Sequence, residues 1–131
     1  MTARSPSRKT AERLRIKRIY DSPADDDGLR ILVDRLWPRG VAKAKAHIDL
    51  WLRDIAPSDT LRHRFHGDPK KWDQFVTAYG RELAREPAKT AAEDLLERLN
   101  REPVTLLYAS RHETHNNAVA LKQWLERSLR K

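Results

Sequence analysis

Residues 31–40 read Ile31-Leu32-Val33-Asp34-Arg35-Leu36-Trp37-Pro38-Arg39-Gly40, and this stretch decides the fold. An unbroken apolar run is what a strand needs when both of its faces are covered, as they are in parallel sheets. Here the run turns within one residue into charge, indole and turn chemistry. That is how such a strand delivers side chains to the carboxyl edge of an open α/β sheet, the usual ligand crevice. The strand is placed at residues 30–34, apolar on both faces, and Pro38 and Gly40 stop regular structure beyond it.

Upstream, Ser22, Pro23 and the run Asp25-Asp26-Asp27-Gly28 form a turn, read as solvated because the acids lack the alternating spacing of a calcium loop. Before it, Leu14 to Tyr20 alternates Leu14 and Ile16 against Arg15 and Lys17, a half-polar strand that belongs near an edge. Residues 1–13 hold Arg4, Arg8, Lys9 and Arg13 against Glu12, a net +3 from four bases and one acid. Lacking apolar periodicity, they are predicted to form a disordered basic tail ahead of one domain over 14–131.

Downstream, Lys43 to Trp51 is ambiguous between a loop and a short extended segment. Helices are predicted after Pro57-Ser58, after Asp68-Pro69, after Pro87 and after Thr114. The second is the clearest, since Trp72, Phe75, Val76, Tyr79 and Leu83 share one face. Ala92, Leu95, Leu96 and Leu99 line the next, and Ala118, Leu121, Leu125 and Leu129 the last. Between those two, Pro103 opens a second buried strand at 104–109. Strands alternating with helices imply an α/β class, a mainly parallel sheet flanked by helices.

The chain has 131 residues, 39% hydrophobic and 35% charged, with a net charge of +8, which fits one compact domain and favours anionic partners. No segment approaches the roughly 20 apolar residues of a membrane span, and no signal sequence is written at the start, so a cytoplasmic protein with no membrane partner is expected. With no cysteine, thiolate nucleophiles, disulfides and iron–sulfur ligation are excluded. Glycine occurs only at 28, 40, 67 and 80, so no phosphate loop or dinucleotide fingerprint exists and no cofactor is expected. Ser58 and Ser110 lie outside any nucleophile elbow. His63/His66 and His112/His115 have metal-like separations but no accompanying carboxylate pattern, so no metal is expected; capping and loop roles explain them with fewer assumptions.

If the strands at 30–34 and 104–109 run parallel, their carboxyl ends share an edge. Asp34, Arg35, Trp37 and Arg39 then face Ser110, Arg111, His115, Asn116 and Asn117. Arginines and a helix N-terminus would make this a pocket for a phosphate or carboxylate, with Asp34 orienting guanidinium groups and Asp34 or His115 as the candidates for proton transfer. A structural ion-pair network would show the same residues, and Trp37 reads more readily as a loop anchor than as a stacking platform. Two other classes remain open: a nucleic-acid-binding module using the basic tail with Trp37 or Trp51, and a protein-interaction domain anchored by the Arg and Trp cluster. Neither a reaction nor an oligomeric state is written in the residues.

The segments KRIYD (17–21), LVDRLWPRG (32–40), IAPS (55–58), LR (61–62), FHGD (65–68), TLLYAS (105–110) and HNNAVAL (115–121) occur in order. On these the chain resembles the YeaO-like proteins, a branch of the broad bacterial domain family DUF488 of unknown function. The resemblance implies an α/β domain and no established activity. It also implies that related branches carry a cysteine in the final strand and loop region, where this chain has Tyr108 and His115, and that the family pattern accepts glutamine at the position of His115.

Overall fold

The structure, a computed structural model, describes residues 13–129. Its centre is a four-stranded sheet in which every pairing is parallel. Strands β1 (Leu14–Arg18), β2 (Leu29–Leu32), β3 (Leu50–Trp51) and β4 (Val104–Tyr108) lie in the order β1-β4-β2-β3. The last strand is thus inserted between the first two. Its Leu106 sits in register with Ile16 on one side and Ile31 on the other. As the sequence predicts, the two apolar strands are central and the half-polar β1 is an edge; that β2 and β4 are neighbours is an order the sequence leaves open. Among the described residues the helices are α1 (Lys43–Ala46), α2 (Asp59–Phe65), α3 (Trp72–Leu83), α4 (Ala88–Arg101) and α5 (Asn117–Leu129). The ambiguous segment 43–51 thus contains one helical turn followed by the two-residue β3.

Alternation along the strands sends Leu14, Ile31, Val33, Val104, Leu106 and Tyr108 to one face. There they meet the apolar stripes of α2 to α5, including Phe75, Tyr79, Leu95, Leu121 and Leu125, in the main core. The opposite face carries a smaller cluster of Ile19, Leu32 and Leu107, roofed by Trp37, Val41, Ile48 and Trp51. The four longer helices therefore cover one face, and the side chains of Trp37, Val41, Ile48 and Trp51 cover the other.

That second face corrects two expectations. Strand β2 is not apolar on both sides: Arg30 is buried there, paired with Asp27, which is 3% exposed. The acidic turn is therefore not wholly solvated. Asp27 accepts hydrogen bonds from Lys17, Arg30 and the Ala24 N–H, while Thr105 donates to its carbonyl. Burial opposes ionisation of Asp27, but these donors together hold its carboxyl below the usual value. Gly28 follows at φ +67°, and a side chain there would meet the Pro103 carbonyl oxygen at 2.3 Å, so only glycine lets β2 start beside β4.

Helix starts follow the capping signals. Ser58 accepts from the Leu61 N–H at 3.2 Å. Asp68 accepts from the Lys70 N–H, opening a 3₁₀ turn at Pro69–Lys71 that runs into α3. Of the predicted tail at residues 1–13, residues 1–12 lie outside the described residues. The Arg13 side chain donates to the Leu99 carbonyl at 2.7 and 3.1 Å.

Candidate functional site

Because β2 and β4 are parallel neighbours, the loops that leave them depart from the same edge of the sheet. A cleft of about 550 Å³ opens between those loops. Asp34, Arg35, Trp37, Arg39, Ser110, Arg111, His115, Asn116 and Asn117, the residues singled out in the sequence, all line it.

Asp34 is the clasp of this edge. One carboxylate oxygen accepts from the Ala109 N–H at 2.9 Å, and the other from the Asn117 side-chain amide at 3.0 Å. The same amide donates to the Val33 carbonyl at 3.1 Å, and the Trp51 indole N–H donates to the Asp34 carbonyl at 2.7 Å. Asp34 thus joins the end of β2 to the end of β4 and to the start of α5. It forms no ion pair with Arg35 or Arg39, so the expectation that it orients guanidinium groups is corrected. Both oxygens are already committed to donors on the strand and helix ends. Burial pushes the Asp34 carboxyl up, while Asn117, the Ala109 N–H and the positive charge of Arg62 pull it down without cancelling that effect.

The arginines divide by what they touch. Arg35 donates to the carbonyls of Ala56 and Pro57 at 3.1 and 3.3 Å, strapping the loop after β2 to the segment before α2. That segment is fixed from below as well. The Tyr79 hydroxyl donates to the Ile55 carbonyl, and Glu82 accepts from the Ser58 N–H and hydroxyl. Arg39 and Arg111 are exposed, and among the described residues their guanidinium groups have no hydrogen-bond or ion-pair partner. The Arg39 backbone is held instead, its carbonyl accepting from the Tyr20 hydroxyl at 3.0 Å. Trp37 anchors its own loop by donating to the Val41 carbonyl at 2.7 Å and meeting Trp51 edge-on at 5.4 Å.

On the α5 side, Asn116 is the cap: its side-chain oxygen accepts from the Val119 N–H at 2.9 Å and its amide donates to the His112 carbonyl. Ser110 Oγ accepts from the His112 N–H at 3.1 Å. His115 stands edge-on to Trp72, its Nδ1 2.9 Å from the Thr114 hydroxyl. Thr114 does not line the cleft.

Sequence reasoning missed the third wall. The end of α2 and the turn after it bring Arg62, His63, Phe65, His66 and Gly67, with Phe75 of α3 beneath. This turn uses two left-handed residues in succession, His66 at φ +45° and Gly67 at φ +69°. The signal for it was the FHGD segment, whose glycine marks a turn without saying what it turns toward. His63, His66, His112 and His115 all reach the cleft, yet among the described residues no three His, Cys, Asp or Glu side chains are grouped to hold a metal ion.

The family model described as "Inactive DUF488-N3 subclade" matches residues 13–131. The chain belongs to the YeaO-like DUF488 family. It is 41% identical over 112 residues to "Uncharacterized protein YeaO" of Escherichia coli strain K12, covering 86% of this chain and 96% of that one. It is 37% identical over 113 residues to "Uncharacterized protein Mb3100c" of Mycobacterium bovis and to "Uncharacterized protein Rv3073c" of Mycobacterium tuberculosis, covering 86% of this chain and 93% of each relative. No solved structure matches the chain.

The segments that mark this chain as YeaO-like converge on the cleft. Tyr20, Asp34 to Arg39, Ala56 and Pro57, Arg62, Phe65 to Gly67, Ala109 and Ser110, and His115 to Asn117 come from the seven segments in turn. Scattered over a hundred positions of sequence, they meet at one edge of the sheet. No helix among the described residues is long and apolar enough to cross a membrane.

Proposed function

We propose that this YeaO-like protein is a non-catalytic binder of a small anion, whose phosphate or carboxylate group docks in the cleft at the carboxyl edge of the sheet. The observation that carries this reading is the charge of the lining: Arg35, Arg39, Arg62 and Arg111 stand around one carboxylate, and that carboxylate is tied to Ala109 and Asn117. Arg39 and Arg111 supply forked donors without an internal partner, and the positive end of the α5 dipole adds to the same potential.

Two observations favour binding over catalysis in this reading. The subclade matched by the chain is itself described as inactive. In the cleft, the Ser110 hydroxyl is turned to a backbone N–H rather than to an imidazole, and the Asp34 oxygens are both occupied. A nucleophile paired with a base is what acyl or phosphoryl transfer through the protein would need.

The test is calorimetric titration of the full chain with inorganic phosphate, sulfate and acetate, alongside R39A, R111A and the double variant. Each substitution should weaken binding about tenfold, as loss of one charge-assisted pair does. Binding unchanged in the double variant overturns the assignment. Binding of short RNA that disappears on deletion of residues 1–12 but survives in R39A and R111A would instead favour the nucleic-acid reading.

A further inference from the structure

The cleft is larger and more apolar than a bare oxyanion requires. Its volume of about 550 Å³ lies in the range of pockets that enclose whole organic ligands, whereas an oxyanion needs only a few times the roughly 30 Å³ of a water molecule. Its floor includes Phe65 and Phe75, stacked on one another with ring centres 4.5 Å apart. Its rim holds Leu36 at 59% and Tyr20 at 48% exposure, the exposed large hydrophobics among the described residues. Both stand beside the loop that carries Arg39. Apolar side chains left in water at the rim of a cationic cleft are complementary to a molecule that brings charge and apolar surface together.

Resting on the anion-binding reading above, we infer that the ligand is a small anion carrying a flat apolar group, an aryl or heteroaryl phosphate or carboxylate. Its oxyanion is held by Arg39 and Arg111, and its ring lies between Leu36 and Tyr20 at the rim and the phenylalanine floor. A ring covered on one face is worth about a tenfold gain in affinity over the same anion without it. Neutral rings gain little, because the arginines then remain without a partner.

The experiment is titration of the full chain with phenyl phosphate, methyl phosphate and phenol, repeated on L36S and on R111A, with circular dichroism to confirm that each variant is folded. Phenyl phosphate is expected to bind about tenfold tighter than methyl phosphate, and phenol not to bind in the same range. In L36S the preference for the aryl ester falls below about threefold, as loss of part of the apolar rim requires. In R111A both esters weaken by the same factor. Equal affinity for phenyl and methyl phosphate overturns the inference and leaves the anion-binding reading standing; no binding of either ester overturns both. If L36S does not fold, Y20A takes its place, and an aryl preference that survives intact in a folded rim variant places the ring elsewhere and also overturns the inference.

Discussion

Replacing Asp34 by alanine separates a structural clasp from a reactive group. The carboxylate has two protein partners, the Ala109 N–H at 2.9 Å and the Asn117 amide at 3.0 Å. Without it, the Ala109 N–H has no acceptor, a loss of about 1–3 kcal/mol for a donor sheltered from water. Asn117 keeps the Val33 carbonyl and loses less. Relief from burying a carboxylate returns part of the loss, so the net cost at neutral pH is about 1–2 kcal/mol. At this chain length that lowers the Tm by roughly 4 °C per kcal/mol.

The pH dependence gives a second, independent reading. The folded-state value of Asp34 lies above its ordinary 3.8, so between the two values the native protein holds a proton that the unfolded chain has released. The contribution from this ionisation is therefore full below about pH 3.8 and declines as pH rises through the folded value. The cost of D34A is accordingly greater near pH 3 than near pH 7, as thermal melts of both proteins across that interval measure. A D34A protein as stable as wild type at neutral pH would refute the clasp, whereas a cost that grows with pH would refute the dominance of burial over the Ala109 and Asn117 donors in setting this ionisation.

Asp27→Ala leaves Arg30, 5% exposed, with a buried uncompensated charge, and should cost about 3–5 kcal/mol in urea unfolding at neutral pH. Because the Asp27 carboxyl is held below 3.8, its stabilisation is present above that value and is lost as pH falls through the lower folded one; a wild-type curve with no acid-side loss relative to D27A would contradict the pairing. Arg35→Ala strands the Ala56 and Pro57 carbonyls and should cost about 1–2 kcal/mol, while R39A changes stability by less than about 0.5 kcal/mol. Lysine at position 35 should restore little, since a point charge does not span two carbonyls as a guanidinium does. Equal melting of R35A and R39A would show that Arg35 is not a strap.

What the sequence makes legible here is whatever a single segment can announce. The buried strands show as apolar runs, the start of α2 and the 3₁₀ turn leading into α3 show as Ser58 and Asp68 caps, and the shared carboxyl edge follows from strand direction alone. The Asp27–Arg30 pair was illegible because a buried charge is stable only through its partner, and neither residue looks unusual by itself. The third wall of the cleft was illegible for a related reason. Gly67 announces a turn, but the sequence does not say that the turn faces His112, whose ring nitrogen would lie 2.9 Å from a side chain at position 67. Asp34 was legible as a residue of the shared edge and misread in its partners, since an acid followed by an arginine suggests an ion pair while the fold gives Asp34 to the Ala109 N–H and the Asn117 amide and gives Arg35 to backbone carbonyls.

That misreading points to how the edge is built. The polar groups nearest the strand ends, Asp34, Arg35, Asn116 and Asn117, are consumed in joining β2, β4, α2 and α5. The groups one step farther out, Arg39 and Arg111, lie on the same loops, yet nothing in the described fold requires their charge. Both residues are exposed and their guanidinium groups form no hydrogen bond or ion pair among the described residues, so no contact of theirs accounts for their placement. For the anion-binding role proposed above, a rigid inner ring that fixes the backbone and an outer pair left open would be a pre-organised arrangement: the cost of ordering the loops is met during folding, and an arriving anion would meet donors already in place. On this view the same carboxylate that looks most like a catalytic group is the reason the site holds its shape, and the exposed cations that look least constrained are where a ligand is recognised.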